Sequence, residues 1–151
     1  MELLRVVMMT VLFFGCSGKT STVQFQPLVA SGTIQCPNGA GLLFQDATVW
    51  QRFWLQYCRT FDGSGALAPA PVVDFAKQTI VGIFMGQRPS GGYGIKIKEI
   101  KKTKSGLEVY VLEHKPNPGD MVITMITYPC ALVTIEKTVL PLKVITLTRG
   151  E

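Results

Sequence analysis

The run from Gln78 to Met85 carries apolar side chains on both of its faces, and this limits what the chain can become. Thr79, Val81, Ile83 and Met85 share one parity, and Ile80 and Phe84 share the other. A strand of this kind is covered on both sides, so it belongs in the interior of a layered β structure. The segment Gly86-Gln87-Arg88-Pro89-Ser90-Gly91-Gly92 then breaks the pattern. Proline lacks the N–H that a ladder needs, and glycines admit positive φ, so the chain leaves the sheet here and returns. On the way back Ile95 and Ile97 face one way and Lys96 and Lys98 the other, as in a strand with one wet face.

The chain of 151 residues is long enough for one domain, and 47% of it is apolar, which is enough for a real core. β-Branched residues are frequent and one segment is firmly helical, so the expected class is mostly β (α+β). The expected architecture is an antiparallel, sandwich-like domain with one amphipathic helix packed on it. That helix is expected over about 47–58. Asp46 can cap its start, and Trp50, Phe53, Trp54 and Tyr57 lie on one face. A ligand groove could use such an aromatic stripe, but four aromatics also supply apolar area to lay on a sheet, and core is the preferred reading. Asp62-Gly63-Ser64-Gly65 cannot continue the helix, and Ala66 to Pro71 is an extended connector.

A β-rich core is expected over about 72–148. Val23 to Val29 is a candidate first strand. Lys104-Ser105-Gly106 reads as a hairpin turn, followed by Leu107, Val109 and Val111 on an inward face. Ile100 falls out of parity with Ile95 and Ile97, which a bulge near Lys98-Glu99 would restore. His114 to Asp120, with Pro116-Asn117-Pro118-Gly119-Asp120 at its centre, is a second prominent loop. Met121 to Tyr128, Ala131 to Glu136 and Leu142 to Leu147 read as three further strands, broken at Pro129 and near Pro141.

The N-terminal residues 1–15 read as a lipoprotein-type signal peptide. Val6 to Phe14 is apolar apart from Thr10, too short for a bilayer span of about 20 residues but suited to the apolar core of an export signal. The end, Leu12-Phe13-Phe14-Gly15-Cys16, resembles the lipobox of bacterial lipoproteins, with Cys16 as the lipidated first residue of the mature chain. An ordinary signal peptide, or a helix with an incidental cysteine, would use the same residues. Residues 16–22 would form a short tether and 23–151 a single domain. The expected location is the bacterial cell envelope, with the protein held at the membrane by its lipid and facing the periplasm or the exterior.

Export would place Cys36, Cys58 and Cys130 in an oxidising compartment. Their spacing matches no zinc pattern, and His114 is the only histidine, so no metal or other cofactor is expected. A Cys36–Cys58 disulfide is the preferred pairing, with Cys130 packed as a small hydrophobe. No catalytic motif or phosphate loop occurs, and any imidazole chemistry would have to use His114 alone. The expectation is therefore a protein that is not an enzyme. The net charge is +5, much of it in Lys96, Lys98, Lys101, Lys102 and Lys104. No aromatic platform or arginine cluster accompanies these lysines, so nucleic acid is not an expected partner and a solvated strand edge is the preferred reading.

The segment from Val72 to Lys98 also resembles a known family. Val73-Asp74-Phe75, the apolar strand, Gly86-x-x-Pro89-x-Gly91-Gly92-Tyr93, Pro118-Gly119 and Thr127-Tyr128-Pro129 are similar to the pattern of the PrcB C-terminal domain. Trp50 and Trp54 resemble the W-x-x-x-W helix that precedes it, and Cys130 stands where that family more often has an aromatic residue. The resemblance covers roughly 72–144. PrcB-type proteins are lipoprotein subunits associated with a spirochaetal surface protease complex. The resemblance therefore implies a non-enzymatic module that binds a protein partner, such as an exported protease. Gly86, Gln87, Arg88, Pro89, Ser90, Gly91, Gly92 and Tyr93 are the candidate partner loop, with Arg88 expected at the surface, and Pro116 to Asp120 a second loop nearby. Arg88-Pro89-Ser90-Gly91-Gly92-Tyr93 also resembles the Asn-Pro-Thr-Thr-Gly-Tyr loop of chagasin-type cysteine-protease inhibitors, with Pro116 to Asp120 and Tyr128-Pro129-Cys130 as second and third loops. The Gly-x-Gly-Gly and Arg-Pro-aromatic motifs of those inhibitors are missing. A solitary structural lipoprotein is a further alternative.

Overall fold

The computed structural model describes residues 20–28, 34–36, 38–58 and 66–147. The signal peptide expected over residues 1–15 and the lipidation site expected at Cys16 lie outside the described residues. The described residues form eight strands and one helix. In order these are β1 (Ser21–Thr22), β2 (Phe25–Pro27), β3 (Gly39–Phe44), α1 (Ala47–Tyr57), β4 (Gln78–Met85), β5 (Gly94–Thr103), β6 (Gly106–His114), β7 (Cys130–Glu136) and β8 (Leu142–Leu147). They make two four-stranded sheets, β1-β5-β6-β8 and β2-β7-β4-β3, stacked as a sandwich, so the domain is mostly β as expected.

The two faces of β4 go to two different cores. Val81 and Ile83 point between the sheets, where they meet Ile97, Ile100, Val109, Val111 and Val133. Ile80 and Phe84 point the other way, into the layer shared with Trp50, Phe53 and Trp54 of α1. Both neighbours of β4, β3 and β7, pair with it antiparallel, so its backbone groups are used on both sides. Thr79 is buried at the start of this strand. Its hydroxyl donates to the Thr138 carbonyl at 3.3 Å and accepts from the Thr138 N–H at 3.2 Å, which removes the cost of its burial.

The helix begins where Asp46 caps it: the carboxylate accepts from the Val49 N–H at 2.8 Å. It ends at Cys58, whose extended backbone still donates to the Trp54 carbonyl. The aromatic stripe is core. Phe44 and Trp50 meet edge-on with centroids 5.0 Å apart, and Phe53 lies 5.3 Å from Phe84. The two indoles also fasten the following connector: Trp54 Nε1 donates to the Ala68 carbonyl at 2.7 Å and Trp50 Nε1 to the Pro71 carbonyl at 3.1 Å.

The β5–β6 hairpin turns at Lys104-Ser105, and its register shifts between Ile97 and Glu99, the bulge that returns Ile100 to the core. Two expectations are corrected, the strand over Met121 to Tyr128 and the tether at Ser21 and Thr22. Met121 to Tyr128 is not a strand but a loop, held by bonds to the 86–93 loop in place of a ladder. β8 pairs with β6 in parallel, because the chain crosses to the other sheet to make β7 before it returns. Ser21 and Thr22, read as tether, pair with Lys102 and Lys101 of β5, and the Thr22 hydroxyl donates to Glu99 at 3.3 Å.

Cys36 and Cys58, expected as a bridged pair, are not bridged to each other here. The Cys36 thiol turns to the Asn38 carbonyl at 3.5 Å. Cys36, Cys58 and Cys130 all pack in the helix-side core. Trp54→Ala should destabilise the domain by about 3–5 kcal/mol, since it empties a buried site and strips the Ala68 carbonyl of its donor. Urea unfolding followed by circular dichroism measures the loss.

Candidate functional site

The partner loop expected over 86–93 sits at one end of the sandwich, between β4 and β5. Gly86 and Gly92 have φ of 76° and 81°, a backbone that other residues rarely adopt, so these two positions set the loop's path. The loop does not stand alone. Arg88 and Thr127 exchange backbone bonds of 2.8 and 3.0 Å, and the Gly91 N–H donates to the Ile123 carbonyl at 2.9 Å. The Thr127 hydroxyl donates to the Ser90 carbonyl at 2.7 Å. The Met85 N–H donates to the Pro129 carbonyl, which ties the base of the tip to β4.

The second expected loop joins the same cluster. A Cβ on Gly92 would stand 2.8 Å from Val122 and 3.1 Å from Pro116, and one on Gly91 would stand 2.7 Å from Ile123. The glycines thus serve close packing as well as the turn. Within the second loop the Asp120 carboxylate accepts from the Asn117 backbone N–H at 2.7 Å and its side-chain amide at 3.2 Å, while Gly119 takes φ 95°. Tyr128, in the third segment, donates to the Gln87 side chain at 3.4 Å. The structure therefore brings Gly86–Tyr93, Pro116–Asp120 and Tyr128–Pro129 to one end.

Arg88 is half-buried, not at the surface as expected. Its guanidinium carbon lies 5.8 Å from the centre of the half-buried Tyr93 ring, and its Nε is buried without a hydrogen-bond partner. Arg88 lines a cleft of ≈ 240 Å³ with Gly39, Met85, Ile95, Glu113 and Val144. Pro89 and Gln87 are exposed, Ser90 is half-buried and Gly91 is buried. His114 is exposed at the end of β6.

The sequence reading missed the most exposed apolar residues of the tip. Met121 is fully exposed at 101%, Ile123 at 62%, Met125 at 58% and Ile126 at 52%. As a strand, alternate members of this run would have been covered. As a loop, the backbone is occupied by the 86–93 segment while these side chains face solvent. The available signal was the flanking Pro118-Gly119 and Pro129, which bracket the run with chain-breaking residues.

Residues 79–136 match the family model described as PrcB C-terminal. The matched residues hold the motifs at 86–93, 118–119 and 127–129 that resemble this family, and they run from β4 to the end of β7. No curated protein and no solved structure matches the chain. The matched residues span β4 to β7 and the whole of the tip. The aromatic helix, β1 to β3 and β8 lie outside them.

Cys130 begins β7 beneath the tip. Burial pushes its thiol up to about 11, and the nearby Cys36 adds to the rise. Cys36 is raised too, mainly by burial. A thiol raised on folding is deprotonated first in the unfolded chain, so its contribution to stability is present below the ordinary value near 9 and is lost as pH rises from there toward 11. Native protein at pH 8 should therefore alkylate at Cys130 far more slowly than protein in urea, which mass spectrometry of timed samples would measure. Gly92→Ala should destabilise by about 1–3 kcal/mol, since it adds a methyl at positive φ against Val122. Thermal unfolding would check this.

Proposed function

We propose that this chain is an exported, lipid-anchored, non-enzymatic module that binds a protein partner, an accessory subunit of an envelope protease complex. The observation that carries this reading is the braced tip. Gly86–Tyr93 is hydrogen-bonded to 123–127, and Met121, Ile123, Met125 and Ile126 project from it. A rigid loop loses little freedom on binding, and exposed Met and Ile supply apolar area that a partner would remove from water. The PrcB C-terminal match supports the choice of a protease-associated partner. Arg88 and Tyr93 act in this reading by stiffening the loop from within, while the apolar side chains make the contact.

Ile123→Asp combined with Ile126→Asp should lower recovery of the crosslinked partner from the envelope at least about tenfold. The fold should be retained, because both side chains are more than half exposed. Undiminished recovery with an unchanged unfolding midpoint would overturn the tip as the contact surface.

A second reading is favoured by the meeting of three loops at one end: the tip fills the cleft of a papain-like protease, as chagasin-type inhibitors do. The sequence departs from their other two motifs, so this reading ranks below the first. Inhibition of papain at micromolar protein would support it, and full residual activity would remove it.

A further inference from the structure

The two outer faces of the sandwich differ. The outer face of β2-β7-β4-β3 is covered by α1. On the outer face of β1-β5-β6-β8 the strands present Tyr110, Leu112, Ile145 and Leu147, all half-buried and outside both core clusters. Their register places them side by side: Tyr110 pairs with Ile145 and Leu112 with Leu147. Lysines border this strip. Lys96 pairs with Leu112, Lys101 with Glu108, and Glu108 with Lys143. Lys98 lies at the bulge, exposed. The acids on these strands are few and engaged: Glu99 pairs with Lys101 at 3.2 Å and accepts from Thr22, and Glu108 accepts from the Tyr110 hydroxyl at 2.9 Å. Glu113 lies further along β6, next to Ile95.

The chain arrives at this sheet. Ser21 pairs with Lys102 at the edge strand β1, and it follows Cys16 by five residues. Five residues reach at most about 18 Å. A lipid on Cys16 would therefore hold this sheet, and not the helix layer, against the headgroups.

We propose that the outer face of β5, β6 and β8 docks on an anionic lipid surface, with Lys96, Lys98 and Lys143 at the phosphates and the Tyr110–Leu112–Ile145–Leu147 strip at the interface. An apolar strip with a basic border is the composition that binds in the headgroup layer, where each lysine adds to attraction for anionic lipid. The tip at 86–93 and 115–129 leaves from the ends of the strands, so it stays clear of the bilayer for a partner. Placement beside the membrane rests on the lipidated Cys16 of the proposed function; the docking face itself does not.

The test uses the chain from residue 16 with Cys16→Ser, so that no acyl group contributes, and vesicles of phosphatidylcholine with or without phosphatidylglycerol. The parent should sediment with the anionic vesicles and be released by high salt. Lys96→Glu with Lys98→Glu should lower partitioning about tenfold or more. Lys77→Glu with Lys115→Glu, the same change in net charge away from this face, should alter it no more than about twofold. Equal losses in the two variants, or no binding to anionic vesicles, would overturn the proposal. Palmitate labelling of the full chain tests Cys16 separately: absence of label with vesicle binding intact would remove the anchor and leave the docking face standing.

Discussion

The burial of β4 on both faces is the constraint on which the rest depends. Val81 and Ile83 need a second sheet, and Ile80 and Phe84 need a second cover that is not that sheet. The aromatic helix supplies the cover. Without α1 the even-numbered face of β4 would meet water, and without β5 and β6 the odd-numbered face would. The three layers are therefore a consequence of one strand with apolar residues on both parities. The indole bonds to Ala68 and Pro71 then hold the connector that leads from the helix back to β4.

The same strand positions the tip. β4 ends at Met85, whose N–H is taken by the Pro129 carbonyl, and Gly86 turns the chain out with positive φ. Pro129 in turn precedes β7, the neighbour of β4. Both ends of the loop cluster thus spring from adjacent strands paired with each other. That is why a loop with so few side-chain bonds keeps a defined shape: its backbone partners are fixed at the base and again at Arg88–Thr127 and Gly91–Ile123.

Much of this was legible in the sequence because the signals were local. Two-sided apolarity in Gln78–Met85, the stripe of Trp50, Phe53 and Trp54, the Lys104-Ser105 turn and the slip in parity at Ile100 all lie within a few residues of what they determine. What was not legible depended on distant partners. Met121 to Ile126 has the composition of a strand, and it is a loop because its hydrogen bonds go to 86–93, which no local pattern records. Ser21 and Thr22 are too short and too polar to signal a strand, and they become one because the edge of β5 is there to pair with. The parallel return of β8 depends on where β7 lies. Arg88 reads as a surface residue by its charge, yet the loop half-buries it and sets its guanidinium over the Tyr93 ring. Cys36 in its loop and Cys58 at the end of the helix read as a pair, whereas the structure packs both in one core without a bridge between them.

The division of surfaces follows from the layer order. Among the described residues α1 covers one outer face of the sandwich and nothing covers the other, and the uncovered face belongs to the sheet that β1 joins. The loop ends form a third surface, set by strand direction and not by either face. A ligand on the open face of β5-β6-β8 and a partner at the tip would then meet different residues: Lys96, Lys98 and Lys143 in one case, Met121, Ile123, Met125 and Ile126 in the other. Because the two sets share no side chain, occupation of one surface leaves the other available. A protein with this layer order can be held at its flank and remain open at its end.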